Sequence, residues 1–314
     1  MREFEVIDRI RALLPGVPEG VILPIGDDCA VIEVGGERWV AAADMLVAGR
    51  HFREEWSSPE DVGFKAVAVN VSDVAAMGAR PRFVLTSGGA PGSEVALGCF
   101  AGVAEACREF GVYPLGGDTT GAERLVVNVA ILGSLEGRDF VARSGARVGD
   151  VVAVSGELGA AAAGLLALER GVEGYGRLKN RHRRPEPRVE VGVSAAEVGM
   201  GAMIDLSDGL ASDVRHVCER SGVGCRIDLG LLPVSPDVRE LAAKLGESPE
   251  HLAATGGEDF ELLFCGSEAA VKKLGRAVET PVTVIGEVLS EKAGVGFLKD
   301  GRDVPGLSGW DHFS

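Results

Sequence analysis

Aspartates flanked by glycine or serine recur along this chain: Gly26-Asp27-Asp28, Val71-Ser72-Asp73, Gly116-Gly117-Asp118 and Asp205-Leu206-Ser207-Asp208, followed by Gly256-Gly257-Glu258-Asp259. A solvated carboxylate needs no glycine beside it. A carboxylate next to glycine marks a turn where backbone must approach a ligand closely. Such turns, dispersed over most of the sequence, require a fold that gathers distant loops in one place. Carboxylate oxygens suit Mg²⁺, and Mg²⁺ is usually bound together with substrate phosphates. The pattern points to phosphoryl or nucleotide chemistry.

The segments around these signatures alternate between strand and helix. Residues 37–45 contain the apolar run Trp39-Val40-Ala41-Ala42-Ala43 and end at Asp44, which predicts a strand delivering a carboxylate at its end. Residues 61–77 carry apolar side chains at helical spacing and stop at Gly78, with Pro81 beyond. A strand is expected over 83–86, a helix over 94–110 closed by Gly111, and a strand over 125–132. The second half repeats the style, with strands over 151–155 and 203–206 and helices over 159–169 and 209–220. This alternation predicts a layered α/β architecture. The 314 residues suffice for two cores, and the turn-rich stretch 137–149 sets the expected domains at 1–140 and 141–314. Residues 171–188, rich in Gly, Arg and Pro, read either as a solvated connection or as a basic flap over an anionic substrate.

A net charge of −15 argues against a nucleic-acid partner. A phosphorylated small substrate remains compatible if bound metal reverses the local sign. The longest apolar stretch, around 160–168, is too short to span a membrane, and the first residues lack the apolar core of a signal peptide, so a cytoplasmic protein is expected. The six cysteines show no zinc spacing and are expected to be buried thiols. The sequence contains no G-x-x-x-x-G-K-[ST] phosphate loop, no G-x-G-x-x-G after a strand and no G-x-S-x-G elbow.

Several residues carry two readings. Asn70 and Asp73 share a face of the expected helix amid alanines and valines. A buried aspartate there is either a metal ligand or a helix-end carboxylate hydrogen-bonded to a loop. Asp208 precedes a helix and reads as an N-cap or as a ligand beside an anion-binding helix N-terminus; Asp205, at the strand end, is harder to explain structurally. Gly116-Gly117-Asp118 offers two glycines to admit phosphate and a carboxylate for its metal.

Taken in order with Asp44-Met45-Leu46-Val47-Ala48-Gly49-Arg50-His51-Phe52, Asn70-Val71-Ser72-Asp73-Val74-Ala75-Ala76-Met77-Gly78-Ala79, Gly256-Gly257-Glu258-Asp259-Phe260-Glu261-Leu262 and Gly309-Trp310-Asp311-His312-Phe313, these motifs resemble the thiamine-monophosphate kinase family. The family is grouped with aminoimidazole ribonucleotide synthetase and selenophosphate synthetase. The resemblance implies a homodimer of two-domain α/β subunits whose N-terminal sheets join across the dimer in a barrel-like interface. It also implies ATP-dependent phosphorylation of thiamine monophosphate to thiamine diphosphate, assisted by several Mg²⁺ ions. By resemblance, Asp28, Asp44, Asp73, Asp118, Asp205 and Asp208 are the metal ligands. Gly117, Asp118, Arg143 and Ser207 line the ATP site, and His51, Glu258 and Trp310 face thiamine monophosphate. Trp310 has the alternative reading of an aromatic plug. One departure stands out: where the family carries Ser or Thr before the Asp44 position, this chain has Ala42 and Ala43. A metal there must use backbone carbonyl or water.

Direct in-line transfer without an acid–base residue is expected, because a phosphate monoester with a second pKa of about 6 is already a nucleophile at neutral pH. The rival readings are a selenophosphate synthetase-like enzyme and a non-enzymatic nucleotide-binding maturation protein. The first needs a reactive Cys near a Lys in an N-terminal glycine-rich segment, and none precedes Gly26; the second needs a C-terminal Cys, and the last cysteine is Cys265.

Overall fold

The structure, a computed structural model, describes residues 3–310. Asp311, His312 and Phe313 of the terminal motif lie outside them. The first part of the chain comprises α1 (Glu3–Leu13), β1 (Val21–Leu23), β2 (Ala30–Val34), β3 (Glu37–Val47), α2 (Pro59–Ala76), β4 (Arg80–Ala90), α3 (Ser93–Glu109), β5 (Tyr113–Gly121) and β6 (Val126–Ser134). The second comprises β7 (Val151–Ser155), α4 (Ala160–Glu169), α5 (Gly176–Arg183), α6 (Val189–Glu197), β8 (Ala202–Asp205), α7 (Leu210–Ser221), β9 (Val223–Asp228), α8 (Pro236–Leu245), α9 (Pro249–Thr255), β10 (Leu262–Gly266), α10 (Glu268–Ala277), β11 (Val282–Ser290), β12 (Val295–Lys299) and β13 (Arg302–Asp303).

Among the described residues, two sheets form, in the orders β1-β2-β3-β6-β4-β5 and β13-β12-β9-β11-β7-β10-β8. Both are mixed. Neighbours are antiparallel except β4 with β5 and β9 with β12. The alternation of strand and helix is as expected, yet it does not produce a mainly parallel sheet.

The second sheet is buried on both faces. Val152, Val154 and Ile204 pack toward α7, while Ala153, Met203 and Phe264 pack toward α6 and α10. Period-two alternation divides each strand between the two cores. The first sheet is covered on one face by α2 and α3. Its other face exposes Met45, Leu85 and Tyr113. β5 is a sheet edge, exposed along its whole length.

Helix α2 sits at the centre of the molecule. Its entry is fixed by Ser58 and Asp61, which satisfy each other's backbone N–H groups in a capping box, with Pro59 in the first turn. It is buried nearly all round because it meets the first sheet, α3, α6 and β8. Two glycines permit the α2–α3 contact: a Cβ on Gly63 would lie 1.8 Å from the Cys99 carbonyl oxygen, and one on Gly102 would lie 1.9 Å from that of Glu60.

Two local expectations are corrected. Gly116-Gly117-Asp118 is strand β5 rather than a phosphate-admitting turn, held in parallel register with β4. The stretch 171–188 contains α5, and its Arg181 and His182 are buried, so it is not a solvated connection.

Candidate functional site

A cleft of about 1250 Å³ opens between the two sheets, lined from both parts of the chain. Ten of the sequence-predicted site residues line it: Asp28, Asp44, Asp73, Asp205, Asp208, Arg143, Ser207, His51, Glu258 and Trp310. Gly117 and Asp118 do not. They lie on β5, three strand spacings from Asp44 across β6 and β4, roughly 14 Å at the usual inter-strand distance. Asp118 is exposed and accepts a hydrogen bond from the Thr119 N–H at 2.9 Å.

The acidic centre is assembled from three elements. Asp28 precedes β2, Asp73 projects from α2 and Asp205 ends β8; one carboxylate oxygen of each lies within 4.8 Å of the others. Ser72 Oγ donates to Asp205 Oδ2 at 2.7 Å, tying α2 to β8. Asp28 is gripped by Arg143, whose Nε and Nη2 donate to Oδ1 at 3.1 and 2.5 Å. Its Oδ2 is buried with no hydrogen-bond partner. Burial pushes Asp28, Asp73 and Asp205 up from the usual carboxylate range, against the pull of Arg143 on Asp28; neighbouring acids add to the rise at Asp73 and Asp205, Asp205 reaching about 8. Burial alone would lower Arg143, but Asp28 overrides it and raises the guanidinium. Close carboxylates with an open, buried oxygen make a poor hydrogen-bond network and a suitable donor set for a hard divalent cation.

The surrounding backbone explains the placement. Asn70 is fully buried, donates to the Ala66 carbonyl and accepts from the Asp44 N–H at 3.2 Å. It therefore sets Asp44 at the rim of the acidic centre. Asn128 Nδ2 donates to the Asp44 carbonyl oxygen at 3.1 Å. Ala42 and Ala43 line the cleft beside it without a side-chain oxygen. Asp27, next to Asp28, accepts from the Arg143 N–H through both oxygens, and burial pushes it up to about 7.

Asp208 is not the N-cap of α7. That position is Gly209, whose N–H donates to Asp213 Oδ2 at 3.0 Å. Asp208, Asp213 and His216 form a second close group. Burial, with Arg143, Arg220 and Arg215, holds His216 down at about 4, so its imidazole is neutral. The Trp310 N–H donates to the Asp208 carbonyl at 2.9 Å, and Gly309 N–H to Ser212 Oγ at 3.0 Å, which lays the terminal segment along α7. Trp310 is 57% exposed, so it lines the cleft rather than plugging a core.

Of the Gly256–Glu261 signature, only Glu258 presents an acid to the cleft. Asp259 accepts from the Gly159 and Ala161 N–H groups at the start of α4, and buried Glu261 accepts from Ser155, Arg181 and Arg188. His51 Nδ1 accepts from the Val47 N–H at 3.0 Å, which places the ring proton on Nε2. Lys65, which sequence reading did not single out, and His182, part of the basic 171–188 stretch, lie 2.6 and 2.9 Å from the Glu258 carboxylate. The apolar face of α4, Ala162, Leu165 and Leu166, closes one wall.

Residues 26–135 match the AIR synthase related protein N-terminal domain, and residues 147–299 match the corresponding C-terminal domain. The chain is similar to the thiamine-monophosphate kinase of Mycobacterium tuberculosis, at 40% identity over 99% of this chain and 91% of that protein. The chain belongs to the thiamine-monophosphate kinase family. Its structure is similar to that of AaThiL complexed with AMPPCP and TMP, with a TM-score of 0.86 and 35% identity over 99% of this chain and 97% of that one. A hydrogenase maturation protein, HypE in complex with ATP, shares the fold alone, with a TM-score of 0.69 at 22% identity over 89% of this chain and 88% of that one.

Proposed function

We propose that this chain catalyses transfer of the ATP γ-phosphoryl group to the phosphate of thiamine monophosphate, giving thiamine diphosphate. The observation that carries this reading is the convergence of Asp28, Asp73 and Asp205 in the cleft that Glu258, His51 and Trp310 also line. The AMPPCP and TMP held by the solved relative correspond to the two substrates.

Two anions must be brought together, and two unit charges about 4 Å apart repel by roughly 4 kcal/mol at an effective dielectric near 20. Several charges on each side multiply that cost. Asp28, Asp44, Asp73, Asp205 and Asp208 would hold Mg²⁺, which would supply neutralisation of the phosphate charge. Arg143 holds Asp28 in place, and Ser207 and the α7 N-terminus offer polar groups to the nucleotide phosphates. Glu258 and His51 supply an acceptor and a donor to thiamine monophosphate. Trp310 offers an aromatic face to its rings, with a cation–π contribution from the thiazolium. No side chain needs to remove a proton from the acceptor phosphate.

Gly117 and Asp118 enter this scheme from a second copy. β5 has an open edge, and the uncovered face of the first sheet exposes Met45, Leu85 and Tyr113, an apolar surface suited to a two-fold pairing of N-terminal sheets. The assignment divides the chain at residue 140, the first part supplying dimer contacts and metal ligands and the second the nucleotide and acceptor walls. Purified protein with Mg²⁺ should consume ATP with thiamine monophosphate and release thiamine diphosphate. It should not do so with thiamine or with no acceptor. Product from thiamine, or none from its monophosphate, would overturn the assignment.

A further inference from the structure

Glu258 is unusual before any ligand is considered. It is a side-chain-bearing residue with φ of 69°, and Phe260 beside it has φ of 50°, in the left-handed region that suits glycine. Its backbone is pinned there by a hydrogen bond from its N–H to the Ser207 carbonyl at 2.8 Å. Backbone held in a disfavoured conformation at a cleft marks a side chain whose direction matters.

Both carboxylate oxygens are then held by buried partners. Lys65 Nζ lies 2.6 Å from Oε1 and His182 Nδ1 2.9 Å from Oε2, and the Lys65 and His182 side chains are only 3% and 5% exposed. Lys65 comes from the middle of α2, among apolar neighbours, where an unpaired ammonium would be costly. Its Nζ also donates to the His51 carbonyl at 3.5 Å. One buried lysine thus touches both the Glu258 and His51 segments. Burial would raise Glu258, but Lys65 and His182 override it and hold the carboxylate at about 2.

We propose that Lys65 and His182 are positioning residues for acceptor recognition, fixing Glu258 as a rigidly aimed hydrogen-bond acceptor in the cleft. Each carboxylate oxygen has one buried basic partner at ion-pair distance, and each keeps a lone pair for the cleft. Those open lone pairs select an acceptor substrate that presents an N–H donor and reject one that presents an acceptor at that place. Lys65 lies on α2, while His182 lies on α5 and Glu258 between α9 and β10 in the second part of the chain, so the aim of Glu258 also depends on how the two sheets are set against each other.

The proposal rests on Glu258 facing thiamine monophosphate, and a double-mutant cycle separates the two ideas. Steady-state KM for thiamine monophosphate and for ATP is measured for E258Q, K65M, K65R and K65M/E258Q. K65M is expected to raise the acceptor KM about tenfold or more while the ATP KM moves less than about twofold, and K65R is expected to recover part of the loss. In the E258Q background, K65M should add almost nothing. Should K65M fail to fold, H182N supplies the same cycle, and K65M/E258Q, which removes both charges, remains measurable. Additive losses, or equal effects on both KM values, would overturn the positioning role alone. An ordinary acceptor KM in E258Q would overturn both that role and the placement of Glu258 at the acceptor.

Discussion

Asp73 and Asp205 differ from Asp27 in what surrounds their oxygens. The first two converge with Asp28, whereas both oxygens of Asp27 accept from the Arg143 backbone N–H. Asp73→Asn and Asp205→Asn should each reduce kcat by roughly 100-fold, about 2.7 kcal/mol of transition-state stabilisation. Asp27→Asn should be milder, and steady-state assays compare the three. The cluster also makes a pH prediction. Asp205 rises from its usual value to about 8 in the folded chain. Below the unfolded pKa it is protonated in both states and contributes nothing. Above it the folded state resists ionisation, so metal-free stability should fall progressively as pH rises toward 8. Thermal melts from pH 5 to 9 should show that fall, with Mg²⁺ raising Tm most at the alkaline end. A metal-free Tm that climbs over this range would contradict the burial of these carboxylates.

Helix α2 carries most of the placement, since it supplies Lys65, Asn70, Ser72 and Asp73. Gly63→Ala would drive a Cβ to 1.8 Å from the Cys99 carbonyl oxygen, forcing α2 and α3 apart at a cost of about 1–3 kcal/mol or more. Denaturant melts should register that cost, together with weaker activity, because the same helix aims Asp73. The terminal segment behaves differently. Trp310 is more than half exposed, so Trp310→Ala should leave Tm nearly unchanged and raise KM for thiamine monophosphate several-fold, an aromatic contact being worth about 0.5–2 kcal/mol. A Tm collapse with unchanged KM would restore the reading as a plug. Much at this scale was legible in sequence. The helix expected over 61–77 is Pro59–Ala76, and the strand expected over 151–155 is Val151–Ser155, because their apolar periodicity and stop signals are local. β5 was not legible. Its Gly-Gly-Asp resembles a turn, and only pairing with β4 makes it a strand, the Gly117 Cα sitting where any Cβ would meet the Thr86 carbonyl oxygen at 1.6 Å. The clamp on Glu258 was hidden for the same reason: Lys65 and His182 lie 193 and 76 positions away from it in sequence, and pairing at such separations leaves no local pattern.

At the scale of the molecule, the acidic centre and the β5 signature are on different sides of the first sheet's width. If the second copy supplies Asp118, each site of a dimer takes its metal ligands from both chains. Asp118→Asn and Asp205→Asn proteins, each strongly impaired alone, should then recover activity when mixed and allowed to exchange subunits. One site of each mixed dimer would be fully native, giving roughly a quarter of native activity at random exchange. No recovery despite mixed dimers in native mass spectrometry would place Asp118 outside the site. The same edge has a consequence for the solitary chain. The nine-residue β5 pairs with β4 on one side only, and its outer edge forms a template onto which an extended peptide can add. In an unpaired chain that edge would be a point of exposure to aggregation.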